Sequence, residues 1–275
     1  MKRILLSIAV CVLFFNSFSQ VNTNAAWTWV KGSKRVPSFP EYGATGNSAP
    51  GNLPGGRKDF VSWQDAAGMV WIFGGRGNAQ AANAYLNDLW KYDPATNVWA
   101  FIRGSKSVND IGNYGVKAVS SLNNQPGSRI GACSWTDALG NFYLFGGYGY
   151  ATTGIPGRLN DLWKYDPVTN QWTWINGSNV IDITAVYGAL AIADPANTPG
   201  ARSSATTWFD GTGNAWIFGG RGFANAGLGY LSDLWKYNSA TNEWTWIKGS
   251  NVIDQPGNIG AQGFDGRILR KVFSG

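Results

Sequence analysis

The stretch NDLWKYDPATNVW occupies residues 87–99, returns as NDLWKYDPVTNQW at 160–172 and again as SDLWKYNSATNEW at 232–244. Its step of 72 or 73 residues is kept by other markers: Arg57, Arg129 and Arg202, the pairs Gly74-Gly75, Gly146-Gly147 and Gly219-Gly220, and Trp99, Trp172 and Trp244. A fixed period of this kind marks a repeat architecture and takes precedence over any local motif. Each period reads as four strands. Strand A runs from the Arg to a Trp six residues on (Trp63, Trp135, Trp208), and Asp65, Asp137 or Asp210 with a following Gly makes a tight turn. Strand B is the apolar run MVWIFGG, NFYLFGG or NAWIFGG, ended by its glycines. Strand C is DLWKYD and its equivalents, with Asp88, Asp161 and Asp233 at its start, closed by DPATN, DPVTN or NSATN. Strand D is VWAFI, QWTWI or EWTWI.

Such a meander is apolar on both faces and needs neighbours stacked on it; radial stacking gives a propeller. An apolar run, a Gly pair, then Tyr and Trp seven positions apart (Tyr92 and Trp99, Tyr165 and Trp172, Tyr237 and Trp244) resembles the kelch signature. The resemblance covers residues 57–249, with a strand-D-like WTWVKGS at 27–33. It implies an all-β, kelch-type β-propeller, with three complete four-stranded antiparallel blades at 57–104, 129–177 and 202–249. Kelch repeats run to about 50 residues, so the excess is assigned to a loop inserted between D and the next A. Residues 20–56 hold the strand-D-like segment and a long loop, and 250–275 begin a fourth repeat that falls out of register. Three blades fall short of the four to eight typical of a closed ring. The propeller is therefore expected to be open, with C-terminal blades missing.

Residues 1–19 read as a cleaved signal peptide: Lys2 and Arg3, an apolar run, then Ser17 and Ser19 before Gln20. The expected location is exported: periplasmic, cell-surface or secreted. The run is too short for a membrane span, and no later stretch reaches the roughly 20 apolar residues required. Removing it takes Cys11 and leaves Cys133 alone, so no disulfide forms within the chain. The net charge of +6 is concentrated at the termini, and residues 20–262 carry only +2, no footprint for nucleic acid.

The chain has no His, which removes the commonest general base and metal ligand. Copper oxidases of the galactose-oxidase type share the kelch propeller but bind copper through His and Tyr, a site this sequence lacks. No cofactor or metal is expected. Half of the sixteen acids recur in register (Asp65, Asp137, Asp210, Asp88, Asp161, Asp233, Asp93, Asp166), and so read as turn or ion-pair residues, with the recurrent Arg as partner. Asp110, Asp182, Asp194 and Asp254 lie in the long loops without a metal-like spacing or a recognisable catalytic constellation, and Cys133 reads as a small strand residue. Tyr42, Tyr114 and Tyr187 recur as loop anchors.

In a meander the A–B and C–D turns share one face, and the B–C and D–A connections share the other. The second pair is long here: 76–86, 148–159 and 221–231 join B to C, and 104–128 and 177–201 join successive repeats. Rigid scaffolds commonly carry recognition on such loops. Arg76, Tyr148, Tyr150, Arg221 and Phe223 differ between repeats and are the candidate ligand contacts. The reading is an exported binding scaffold for a glycan or surface protein. The alternatives are a sugar epimerase, isomerase or lyase on a kelch propeller, for which no catalytic residues are legible, and an inactive fragment.

Overall fold

Turn chemistry divides each period as its sequence demands. Asp65 Oδ1 accepts the Ala67 and Met69 N–H groups, both at 3.0 Å, while Gly68 takes φ +81°. At the other turn of that side Asp93 Oδ1 accepts Ala95 N–H at 2.8 Å and Asn97 sits at φ +56°. Short polar side chains that bond their own turn and tolerate positive φ make these reversals tight.

The computed structural model describes residues 28–34, 38–79 and 84–257, which contain strands and no helix. The contacts below lie within the unit Gly32–Gly275. The first repeat forms β1 (Ser48–Ala49), β2 (Arg57–Lys58), β3 (Val61–Gln64), β4 (Val70–Gly77), β5 (Ala84–Asp93) and β6 (Val98–Arg103). The second forms β7 (Arg129–Ile130), β8 (Cys133–Thr136), β9 (Phe142–Tyr150), β10 (Pro156–Asp166) and β11 (Gln171–Asn176). The third forms β12 (Ala193–Asp194), β13 (Arg202–Ser203), β14 (Thr206–Phe209), β15 (Asn214–Phe218), β16 (Arg221–Ala224), β17 (Gly227–Tyr230), β18 (Leu234–Asn238) and β19 (Glu243–Lys248). All pairings are antiparallel, in the orders β1-β6-β5-β4-β2 with β3 on β4, β11-β10-β9-β7 with β8 on β9, and β12-β19-β18-β15-β14, with β13-β16-β17 as a separate sheet.

The glycine pair does not end strand B. Gly74 and Gly75, at φ +67° and +95°, shift the register between β4 and β5, and β4 continues to Gly77. Strand A must follow this bend. It is two short strands rather than one: β2 pairs the far part of β4 (Arg57 opposite Gly77), β3 pairs the near part (Val61 opposite Phe73), and Asp59 at φ +56° kinks the chain between them. In the third repeat the bend becomes a break, with β15 ending before the glycines and β16 starting after them. The segments read as B–C loops at 76–86, 148–159 and 221–231 are therefore largely hairpin. The inserted length between repeats is not all loop either, since β1 and β12 add to the outer edges of β6 and β19. Residues 28–30, read as strand D, form no strand; the signal peptide and residues 258–275 lie outside the described residues.

Successive repeats touch at two levels. At the strand-A kink, Gly131 N–H donates to Asp59 O at 3.0 Å and Ser204 N–H to Gly131 O at 2.8 Å. Between sheets, Val61, Trp63 and Phe73 pack on Phe142, Leu144 and Trp172, with Trp63 stacked on Phe142 at 5.3 Å and its indole N–H bonded to Tyr143 O. The other side of the second sheet presents Cys133, Trp135 and Phe145 to Ile217, Tyr237 and Trp244. At equivalent positions Trp63 and Trp135 are each 5% exposed but Trp208 is 44% exposed, and Phe73 and Phe145 are 1% and 0% exposed but Phe218 is 47% exposed.

A buried polar node fixes each repeat. Arg57 pairs with Asp88, Arg129 with Asp161 and Arg202 with Asp233, at 2.6 to 2.7 Å, with every side chain almost wholly buried. The same carboxylates accept the indole N–H of Trp90, Trp163 or Trp235 and the hydroxyl of Tyr42, Tyr114 or Tyr187, so each long loop is anchored to the next repeat's centre. Burial pushes the Tyr114 hydroxyl well above its ordinary range, which keeps it a donor.

Candidate functional site

Extending strands B and C past the glycine bend turns the predicted loop residues into a patterned surface. In an antiparallel pair, directly opposed residues present their side chains on one face. Arg76 lies opposite Tyr85, Tyr148 opposite Arg158, and Arg221 opposite Tyr230. Each repeat thus carries one Arg and one Tyr side by side, with the order reversed in the second.

The pairs touch one another. The Arg76 guanidinium lies 6.0 Å from the Tyr85 ring centre, and Tyr85 meets Tyr148 edge-on at 5.9 Å and Tyr150 at 6.1 Å. The Arg158 guanidinium lies 5.7 Å from the Tyr148 ring centre, and its Nε donates to the Arg221 carbonyl at 3.0 Å. Between the second and third repeats an open cleft of about 820 Å³ is lined by Tyr148, Arg158, Arg221 and Tyr230, with Ser203 and Ser204. Burial, then the neighbouring Arg221 charge, lowers the Arg158 pKa from its ordinary value, against a smaller pull from Asp182.

Asp182, Asp254 and Asn109 from the long loops clamp the backbone of these hairpins. Asp182 Oδ1 accepts Arg158 N–H at 2.8 Å, while Asp182 N–H returns to Arg158 O at 2.8 Å; Asp254 does the same for Tyr230, and Asn109 for Tyr85. Asn109, Asp182 and Asp254 all take φ near +60°, a conformation Asn and Asp tolerate best among residues with a Cβ. These side chains hold backbone.

Of the five candidate contacts, Tyr148 and Arg221 share the cleft, Arg76 and Tyr150 join it through Tyr85, and half-buried Phe223 lies two positions further along its strand, outside the cleft lining. All five lie on strands β4, β9 and β16 rather than on loops. Sequence reasoning missed Tyr85, Arg158 and Tyr230 because it began strand C later. The available signal was an Arg and a Tyr nine or ten residues apart across each predicted connection.

Cys133 is buried and its thiol is pushed up to about 12 by that burial, leaving it a packing residue. Among the described residues no group of three His, Cys, Asp or Glu side chains converges as a metal site, and no helix is long and apolar enough to cross a membrane.

Residues 67–104 and 140–173 each match the kelch motif. Two stretches of the chain thus carry kelch motifs within an all-β fold of antiparallel sheets. No curated protein matches it. Among solved structures, the one titled "Structure of YjhT" is similar at a TM-score of 0.49 and 16% identity, covering 75% of this chain and 55% of that one. The chain thus spans little more than half of that structure's length.

Proposed function

We infer that the protein is an exported interaction scaffold that holds a glycan or protein partner on the face built by the B–C hairpins. Kelch propellers commonly bind other proteins, and two stretches of this chain match the kelch motif. The observation carrying the reading is the cleft itself: about 820 Å³, mixed aromatic and polar, and flanked by the Arg–Tyr pairs of two repeats. Concave sites with a few convergent polar groups are the usual binding sites. The opposite side, in contrast, is made of tight Asx-type turns whose carboxylates are occupied by their own backbone.

The test is a glycan array and a partner pull-down on the mature chain, repeated with Tyr148→Ala and Arg221→Ala. Loss of retained partners supports the reading; partners insensitive to both changes, with protection mapped to residues 93–97, move the site to the opposite side. Amino-terminal sequencing of the protein from an extracytoplasmic fraction checks export, with Gln20 as the expected first residue.

The same reading holds that a further kelch repeat covers the outer side of the third sheet. It is supported by the contrast between Trp208 and Phe218 and their buried equivalents. Each of the two inner sheet contacts buries that Trp–Phe pair against the next repeat.

A further inference from the structure

We propose that the cleft between the second and third repeats binds a ligand carrying at least two negative oxyanion charges, held by Arg158 and Arg221 and flanked by the rings of Tyr148 and Tyr230. This rests on the reading of the hairpin face as the binding face and adds the chemistry of what binds.

The argument starts from how the chain treats its other arginines. Arg57, Arg129 and Arg202 are each sealed inside a repeat and matched by a carboxylate. The ion pairs among the described residues are these three and the exposed Lys58–Asp59 contact, so neither Arg158 nor Arg221 is in one. No Asp or Glu lines the cleft. Its nearby acid, Asp182, spends Oδ1 on the Arg158 backbone N–H.

Two arginines thus share a cleft with no carboxylate in its lining, and at Arg158 burial and the Arg221 charge outweigh the pull of Asp182. An anion between them relieves that repulsion. The fork of Arg158 is also aimed: Nε is held by the Arg221 carbonyl, and no protein acceptor bonds Nη1 or Nη2 among the described residues. A guanidinium fixed in this way presents parallel N–H donors at the spacing of two oxygens of a carboxylate, sulfate or phosphate. Ser203 and Ser204 also line the cleft.

The Tyr85–Tyr148 contact then links this cleft to Arg76 in the first repeat. A ligand long enough to follow the rings meets a third guanidinium. Aromatic faces and cationic forks in alternation suit an extended acidic ligand better than a neutral one, because each charge is met without loss of stacking area.

The experiment titrates the mature chain by calorimetry with inorganic phosphate, tricarballylate and a heparin-derived tetrasaccharide, with maltotetraose as the neutral control. These arms separate phosphate, carboxylate and sulfate chemistry. Expected is saturable binding of at least one anion that weakens with salt, falls about tenfold in Arg158→Gln and again in Arg221→Gln, and is partly retained in Arg158→Lys, which keeps the charge but not the fork. Thermal melts confirm that these surface variants fold. No anion binding, or binding unchanged in the double glutamine variant, overturns the proposal. Maltotetraose binding that is lost in Tyr148→Ala but indifferent to the arginine changes overturns it while leaving the hairpin face as the binding face. Partners mapped only to the opposite side overturn both.

Discussion

Arg129 and Asp161, 32 positions apart, meet through two hydrogen bonds, Nη1 to Oδ1 at 2.7 Å and Nη2 to Oδ2 at 2.8 Å, with both side chains buried. Arg129 also donates to the carbonyls of Gly127 and Gly146, while Asp161 accepts from Tyr114 and Trp163. The pair therefore ties together strand A, the glycine bend, strand C and the incoming loop. Breaking a buried pair from one side costs about 3–5 kcal/mol because a charge is left uncompensated. Asp161→Ala is expected to lose at least that much in urea denaturation. The double change Arg129→Met with Asp161→Leu is expected to recover only part of it, since the Tyr114 hydroxyl and Trp163 indole then lack an acceptor at about 1–3 kcal/mol each. Full recovery in the double variant would reduce the node to a simple ion pair.

The same arrangement in the third repeat gives a pH dependence. Burial alone would raise the Asp233 carboxyl, but the Arg202 guanidinium, with bonds from Trp235 and Tyr187, outweighs it and the net shift is downward. A carboxyl depressed in the folded state binds its proton later than in the unfolded chain. Its stabilisation is complete above the unfolded value of about 3.9 and is lost as pH falls towards the lower folded value. The urea midpoint should be level from neutrality to about pH 5 and drop below about pH 4. Asp233→Asn should be less stable at neutrality and show a shallower acid drop; an identical acid profile in that variant would place the dependence elsewhere.

Trp63 and Trp208 occupy the same repeat position with opposite fates. Trp63 stacks on Phe142, whereas Trp208 lies parallel to Trp216 of its own sheet, at 2° between planes, and faces outward. Trp63→Ala should cost about 3–5 kcal/mol, as buried large-to-small changes do. Trp208→Ala should cost under about 1 kcal/mol in the present chain. In a form carrying a further repeat the second value should rise towards the first. A large Trp208→Ala loss in the monomeric chain would show that something already covers it.

How much of this was legible follows from what repeats. The buried Arg, Asp, Tyr and Trp recur because every repeat must solve the same packing and desolvation problem, so period alone exposed them. The course of strand B past Gly74 and Gly75 was not legible, because glycine marks both strand ends and bulges, and only pairing with β5 decides between them. That ambiguity hid the site. Arg158 and Tyr230 looked like loop residues until the hairpin placed them opposite Tyr148 and Arg221. Register across strands is a property of two segments, and a single stretch does not encode it.

The glycine bend itself can be tested by position. Gly146, Gly219 and Gly140 all take positive φ, at +65°, +65° and +84°. Any residue with a Cβ meets a cost of about 1–2 kcal/mol in that region. At Gly140 a Cβ would meet nothing within 4 Å, so Gly140→Ala should cost that conformational amount and little else. At Gly219 it would also approach the Leu231 carbonyl oxygen at 3.0 Å, a backbone atom with limited room to move. At Gly146 it would stand 2.8 Å from two carbonyl oxygens, Leu159 in the same sheet and Arg202 in the next repeat. Gly146→Ala must therefore push the third repeat away from the second or straighten the bend. The expected order of destabilisation is Gly146→Ala largest, Gly219→Ala intermediate and Gly140→Ala smallest, read from urea midpoints. Gly146→Ala should also loosen the contact beneath the cleft, so amide exchange at Ser203 and Ser204 should quicken in that variant and stay unchanged in Gly140→Ala. If Gly146→Ala proves no more costly than Gly140→Ala, the close approach of the two repeats at this glycine is not a constraint on the fold.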